Sequence, residues 1–207
     1  MKTLRDNLKA VARRVATMPG RALVVLGVIG CTSLLGPEAH ASEALFLKVI
    51  AASSPPSAAI HLCQQYSWVC ADKRSVSHSD QRELQIINQV NRKVNTSTRE
   101  VGDRRQYRTR DLWTLPTSMG GDCEDFALLK KKELIGAGVD PNKLLIATVL
   151  DERRNGHAVL VYRSSHGDLI LDNQTNRIKL WSATRYLFLR MQDPNQPRRW
   201  VIVSSRS

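Results

Sequence analysis

Several features that would settle a function quickly are missing from these 207 residues. The most apolar stretch, Ala22 to Leu35, falls short of the ~20 residues a membrane-spanning helix needs. No glycine-rich phosphate cradle is present. Gly120-Gly121 is too short for one, and the elements do not alternate strand and helix, which excludes a parallel nucleotide-binding sheet. No closely spaced Cys/His ligand pair exists, so Cys123, His157 and Asp172 form a weak zinc set. The basic residues make neither a tail nor an aromatic-interleaved stripe, so nucleic acid is not the expected partner. There is no internal repeat and no low-complexity tract. Cysteine is scarce, with four in the whole chain.

What is present begins with a leader. Lys2, Arg5, Lys9, Arg13, Arg14 and Arg21 form a basic region, Ala22 to Leu35 an apolar one, and Ala39-His40-Ala41 an A-x-A cleavage site. Residues 1–41 are therefore expected to be a signal peptide, and 42–207 a single domain exported to the periplasm. Val28-Ile29-Gly30-Cys31 also resembles a lipobox, which would leave a lipid anchor on Cys31. The net charge is +12; residues 1–41 hold six basic and two acidic residues, so the remainder carries 25 against 17, or +8. That charge suits acidic polymers or proteins at an anionic envelope. In an oxidising compartment Cys63 and Cys70 either pair, which requires a break in the helix between them, or remain two core thiols on one helical face.

The order of elements predicts an α+β fold. Ala58 to Ala71 reads as a helix. Asp80-Gln81-Arg82-Glu83 reads as a capping box opening a stronger one, with Leu84, Ile87, Val90 and Val94 on its apolar face. Residues 96–121 form a long polar connection, a candidate cleft wall, with Trp113 either in it or anchoring the core. Beyond the glycines at 136 and 138 the pattern changes to strands at Leu144–Leu150, His157–Tyr162, Leu169–Asp172 and Arg199–Val203, with an amphipathic Ile178–Leu189 between the last two.

The chemistry concentrates at Gly120-Gly121-Asp122-Cys123-Glu124-Asp125, followed at once by Phe126-Ala127-Leu128-Leu129. Asp122 occupies the N-cap position and Asp125 makes a capping-box-like partner. Cys123 then lies in the first helical turn, where backbone N–H groups and the helix dipole favour a thiolate and supply donors for an oxyanion. A buried, inert thiol is the plainer account. Three neighbouring carboxylates raise a thiol pKa, so something must neutralise Asp122, Glu124 and Asp125. Carboxylates beside a loop suit calcium better than zinc, while helix capping accounts for Asp122 and Asp125 and less well for Glu124.

A cysteine nucleophile needs a base and a group to orient it. A hairpin turning at Ser164 to Asp168 places His157 and Asp172 almost opposite one another, about 5 Å apart at Cβ. His166 competes as the base but falls in the turn, and Asp172-Asn173 also suits a turn.

The blocks Gly120 to Ala127, Gly156-His157-Ala158-Val159-Leu160 and Leu171-Asp172-Asn173, in this order, resemble the bacterial transglutaminase-like cysteine proteinases of the LapG type. The similarity runs from about Trp113 to Trp200. It implies a papain- or transglutaminase-like fold, with the catalytic cysteine at a helix start packed on an antiparallel sheet. Cys123 would be the nucleophile, His157 the base and Asp172 its orienter. Asp122 and Glu124 match the calcium-ligand positions, with Asp125 a third. The resemblance further implies a periplasmic, calcium-dependent endopeptidase that cuts a large surface adhesin near its N-terminus, at a di-alanine site, and so disperses biofilm. An inner-membrane receptor for cyclic di-GMP would sequester it. Acyl transfer or peptidoglycan amide hydrolysis on the same residues is the alternative chemistry, and a calcium-responsive binding module with an inert thiol the alternative class.

Overall fold

The computed structural model describes residues 45–72 and 78–204. The expected leader, its cleavage site and Cys31 lie outside the described residues. Seven strands form one antiparallel sheet: β1 (Lys48–Ser53), β2 (Leu144–Leu150), β3 (Gly156–Ser164), β4 (Gly167–Leu171), β5 (Lys179–Leu180), β6 (Leu187–Gln192) and β7 (Trp200–Ser204), in the order β1-β7-β6-β2-β3-β4-β5. The helices are α1 (Leu62–Gln65), α2 (Asp80–Ser97), α3 (Asp103–Gln106) and α4 (Cys123–Gly136).

Alternation along the central strands builds two cores. Leu144, Ile146, Leu160 and Tyr162 join the cluster containing Ile87, Val90 and Val94 of α2 and Phe126, Leu128 and Leu134 of α4. Leu145, Ala147, Val149, Val159 and Val161 fill the second core with Phe188, Met191 and Trp181. Both faces are buried, so these strands read as near-continuous apolar runs. α4 packs against both α2 and β3, which is why it buries residues on all sides, Lys130 and Lys131 included. Just before β1, the Leu47 N–H donates to Asp168 Oδ2 and the Leu45 carbonyl accepts from the Asp168 N–H, both at 2.8 Å. The chain beside one edge strand thus meets β4, near the opposite edge, and the sheet curls. Gly167, at φ +129°, permits this contact, since a Cβ there would lie 2.6 Å from the Leu45 carbonyl oxygen.

Several boundaries move from their sequence expectation. The helix expected over Ala58–Ala71 is broken into Ser57–Ala59, α1 and Ser67–Cys70, with Tyr66 at φ −134°, ψ 89° between the last two. That break lets Cys63 and Cys70 form a disulfide, their Cα atoms 5.6 Å apart. α2 is capped by Ser79, whose Oγ accepts from the Arg82 N–H, one residue before the expected Asp80. Its fourth residue, Glu83, turns inward and accepts from the Tyr162 hydroxyl and the Lys143 ammonium, both at 2.6 Å. Residues 178–189 resolve into β5, the 3-10 turn Trp181–Thr184 and the start of β6. α4 ends as expected, with Gly138 at φ +91° and the Val139 N–H returning to the Leu134 carbonyl.

Candidate active site

α4 begins at Cys123 with Asp122 in the N-cap position, as its sequence requires, but Asp122 makes no side-chain cap hydrogen bond. Its Oδ2 instead accepts from the Asp103 N–H at 3.2 Å, across the 98–122 connection. Capping therefore does not account for Asp122. Asp125 accepts from the Thr114 N–H of the connection at 3.0 Å, and the Asp122 N–H also favours its ionised form, the capping-box-like contact expected from the sequence.

The hairpin of β3 and β4 pairs Leu160 with Leu171 and Ser164 with Gly167, with only Ser165 and His166 in the turn. Extending that register places Asp172 across from Val159, so His157 and Asp172 are diagonal neighbours and not directly opposed as the sequence suggested. The turn is tighter than Ser164 to Asp168, because the Ser164 hydroxyl bonds the Gly167 carbonyl at 2.7 Å and closes it early. Diagonal side chains still reach one another. His157 Nε2 lies 3.0 Å from Asp172 Oδ1, and both residues are buried. A hydrogen on Nε2 directed at the carboxylate leaves Nδ1 as the basic nitrogen. His166 is exposed and bonded to Ser165.

Asp172 is held from several sides. Oδ1 also accepts from the Gln174 N–H at 3.0 Å, and Oδ2 accepts from the Tyr186 hydroxyl at 2.5 Å. Burial alone would push its carboxyl up, but His157, Tyr186 and the Gln174 N–H together hold it below the ordinary value. Asn95 of α2 donates to its backbone carbonyl at 2.8 Å. Lys130, almost wholly buried, is drawn down to about 7 by burial and pulled back upward by the Asp172 charge.

Cys123 and His157 line one cleft of about 400 Å³ together with Asp122, Glu124, Trp113, Arg110, Asp111 and Leu189. Trp113 is both wall and anchor, buried edge-on against Trp200 with ring centroids 6.0 Å apart. The sulfur accepts from the Ala158 N–H, next to His157, but the thiol itself donates to Glu124 Oε2 at 3.1 Å and not to the imidazole. Burial, and then the Glu124 carboxylate, push this thiol well above the ordinary cysteine range.

Around Glu124 lies an acidic cluster that residues near Cys123 only partly announce. Two groups bring carboxylate oxygens within 4.8 Å of one another: Asp103, Asp111 and Glu124, and Asp103, Asp122 and Asp125. The expected trio Asp122, Glu124 and Asp125 is thus divided between two groups joined by Asp103. Asp103 and Asp111 were not expected; both come from the irregular connection, whose length was their only signal. Burial and mutual repulsion push Glu124 up to about 9 and Asp125 up to about 7, and raise Asp103 as well. Asp103 Oδ1, Asp122 Oδ1 and Asp125 Oδ2 are buried without any hydrogen-bond partner. Orphaned anionic oxygens converging in this way suit a hard divalent cation.

A thiol at a helix start, beside a strand-borne histidine bonded to an aspartate, is the equipment of a thiol hydrolase or acyl transferase. Residues 49–207 match the profile of the bacterial transglutaminase-like cysteine proteinases, BTLCP, and the chain belongs to that family. Its helices and seven-stranded antiparallel sheet are a transglutaminase-like fold. No curated protein matches. Among solved structures the chain is similar to Legionella pneumophila LapG in calcium-bound form, at 27% identity and a TM-score of 0.46 over 53% of this chain and 65% of that one. The EGTA-treated form of LapG matches at 27% identity and a TM-score of 0.47, over 54% and 63%. In both cases the match spans less than two thirds of the relative's length.

Proposed function

We propose that the protein is a calcium-dependent cysteine endopeptidase of the periplasm that cuts a large cell-surface adhesin near its N-terminus, at a di-alanine site, and thereby releases it and disperses biofilm. The observation carrying the peptidase reading is the buried His157–Asp172 hydrogen bond opening onto the cleft that holds Cys123, in a chain of a cysteine proteinase family. Choice of substrate, compartment and a sequestering cyclic di-GMP receptor in the inner membrane follows from the sequence resemblance.

The chemistry runs through this chain's own side chains. His157 Nδ1 takes the Cys123 proton, and the sulfur attacks the peptide carbonyl carbon. Backbone N–H groups at the start of α4 meet the oxyanion. The imidazolium, kept in register by Asp172, gives its proton to the leaving amine, and water then hydrolyses the thioester. Asp103, Asp111, Asp122, Glu124 and Asp125 would hold the calcium, whose charge would neutralise the cluster and occupy Glu124, the thiol's present acceptor.

The test is incubation of the purified protein with an adhesin fragment from its own cell, with calcium or with excess EGTA. Cleavage in calcium, its loss in EGTA and its loss in Cys123→Ala are the expected results. Cleavage retained by Cys123→Ala would defeat the peptidase assignment, and full turnover in EGTA would remove the metal from it.

A further inference from the structure

Tyr186 has no role in the scheme above, yet it touches both members of the histidine–aspartate pair. Its hydroxyl is 2.5 Å from Asp172 Oδ2, the oxygen that His157 does not use. Its ring meets the imidazole edge to face, with centroids 5.7 Å apart and planes at 82°. The backbone delivers it there deliberately. Arg185 adopts a left-handed conformation, φ +60° and ψ 14°, at the end of the Trp181–Thr184 turn. That conformation is costly for a residue other than glycine and persists only where its surroundings impose it. The Tyr186 N–H is then held by Thr184 Oγ1, which itself donates to the Trp181 carbonyl at 2.7 Å. Tyr186 packs on the second core and lines, with Asp172 and the exposed Glu152, a small cavity beside the pair.

We propose that Tyr186 is a positioning residue of the catalytic machinery. Its hydroxyl fixes the Asp172 carboxylate in the plane that receives His157 Nε2, and its ring holds the imidazole rotamer while shielding their hydrogen bond from water. Two donors, Gln174 N–H and His157, share Oδ1, so without Tyr186 the other oxygen has no hydrogen bond and the carboxylate is free to swing about its Cβ–Cγ bond. Burial and the Asp172 carboxylate both raise the tyrosine's own pKa, so it remains the donor at every working pH. An aspartate that drifts costs the imidazole its orientation and its tautomer, which is where the pair contributes to rate.

This inference rests on the thiol-peptidase reading, and its experiment separates the two. The probe is iodoacetamide, and the readout is the rate of Cys123 alkylation between pH 4 and pH 9 in calcium-containing buffer, roughly the span in which carboxylate and imidazole titrate. Tyr186→Phe keeps the ring and its packing and removes only the hydroxyl. We expect alkylation at neutral pH to fall about tenfold, the loss typical of one hydrogen bond to a charged group. The acid limb should move to higher pH, because Asp172 loses one of the donors that keep it ionised. Tyr186→Leu, lacking the ring too, should fall further, with the melting temperature monitored for both. A Tyr186→Phe profile that overlays the wild type would overturn the proposal, provided Asp172→Asn slows alkylation in the same assay. If Asp172→Asn is also silent, the histidine–aspartate reading itself fails.

Discussion

The carboxylates on the two sides of Cys123 are treated oppositely by the fold. On one side Asp172 is buried with donors on both oxygens and a carboxyl held below its ordinary value. On the other, Asp103, Asp122 and Asp125 each keep an oxygen buried with no donor, and Glu124 and Asp125 are pushed up to about 9 and about 7. The protein has finished the first arrangement with its own hydrogen bonds. The second leaves three carboxylate oxygens without a donor, which on the proposed function calcium would neutralise. A buried anionic oxygen without a partner is expensive, so five carboxylates converging from α3, α4 and the connection make sense as ligands and poor sense as structure.

The largest test of that difference compares one substitution from each side. Asp172→Asn should cost roughly 10³-fold or more in turnover, as loss of the orienting carboxylate does in comparable triads, at any calcium concentration. Asp103→Asn should cost activity only when calcium is limiting, since removing a ligand lowers metal affinity roughly tenfold or more and excess metal restores occupancy. Loss in Asp172→Asn that calcium rescues, or loss in Asp103→Asn that it does not, would erase the distinction.

A smaller effect should appear in the metal-free protein as pH rises from 5 to 7. Glu124 and Asp125 have folded pKa values raised above those of the unfolded chain, from 4.5 and 3.8 to about 9 and about 7. A raised group contributes stability that is fully present below its unfolded pKa and lost as pH climbs toward its folded one. The buried Lys130 and Lys131, lowered to about 7, act in the opposite sense but only above that pH. The melting temperature in EGTA should therefore fall by at least a few degrees between pH 5 and pH 7, and added calcium should recover more of it at pH 7 than at pH 5. A flat profile in EGTA would mean the cluster is not strained by its own charge.

Much of this was legible in the residues, and what was not has a common cause. Local signals held: the helix start at Cys123, its glycine stop, and the strand Leu144–Leu150 all follow from short-range pattern. The hairpin of β3 and β4 was legible as a hairpin, but not its register, because a hydroxyl bond from Ser164 decides where the turn closes. The Ala58–Ala71 helix failed at Tyr66, whose hydroxyl is committed to Thr114 and to the Leu115 N–H, contacts 48 and 49 residues away. Asp103, Asp111 and Tyr186 were invisible for the same reason. Asp103 opens the one-turn helix α3, Asp111 lies in the irregular connection and Tyr186 follows a 3-10 turn, so no long periodic pattern marks them and only the folded chain brings them to the site.

The smallest predicted effect probes how far the finished side of the site extends. Asn95 on α2 donates to the Asp172 carbonyl at 2.8 Å, the Thr175 carbonyl at 3.2 Å and Asn176 Oδ1 at 3.0 Å, clamping the loop that follows β4. It touches neither carboxylate oxygen. If preorganisation of Asp172 depends on its backbone as well as its donors, Asn95→Ala should lower turnover by a factor of about ten or less, with stability reduced on the order of 1 kcal/mol. Asn95→Asp is the sharper variant. It keeps the size but converts the donor into an acceptor facing three oxygens, and should cost more than the truncation. Turnover unchanged in both would confine the rigid part of the site to the side chains around Asp172. The contrast with the acidic cluster would then be one of hydrogen-bond count alone and not of backbone support.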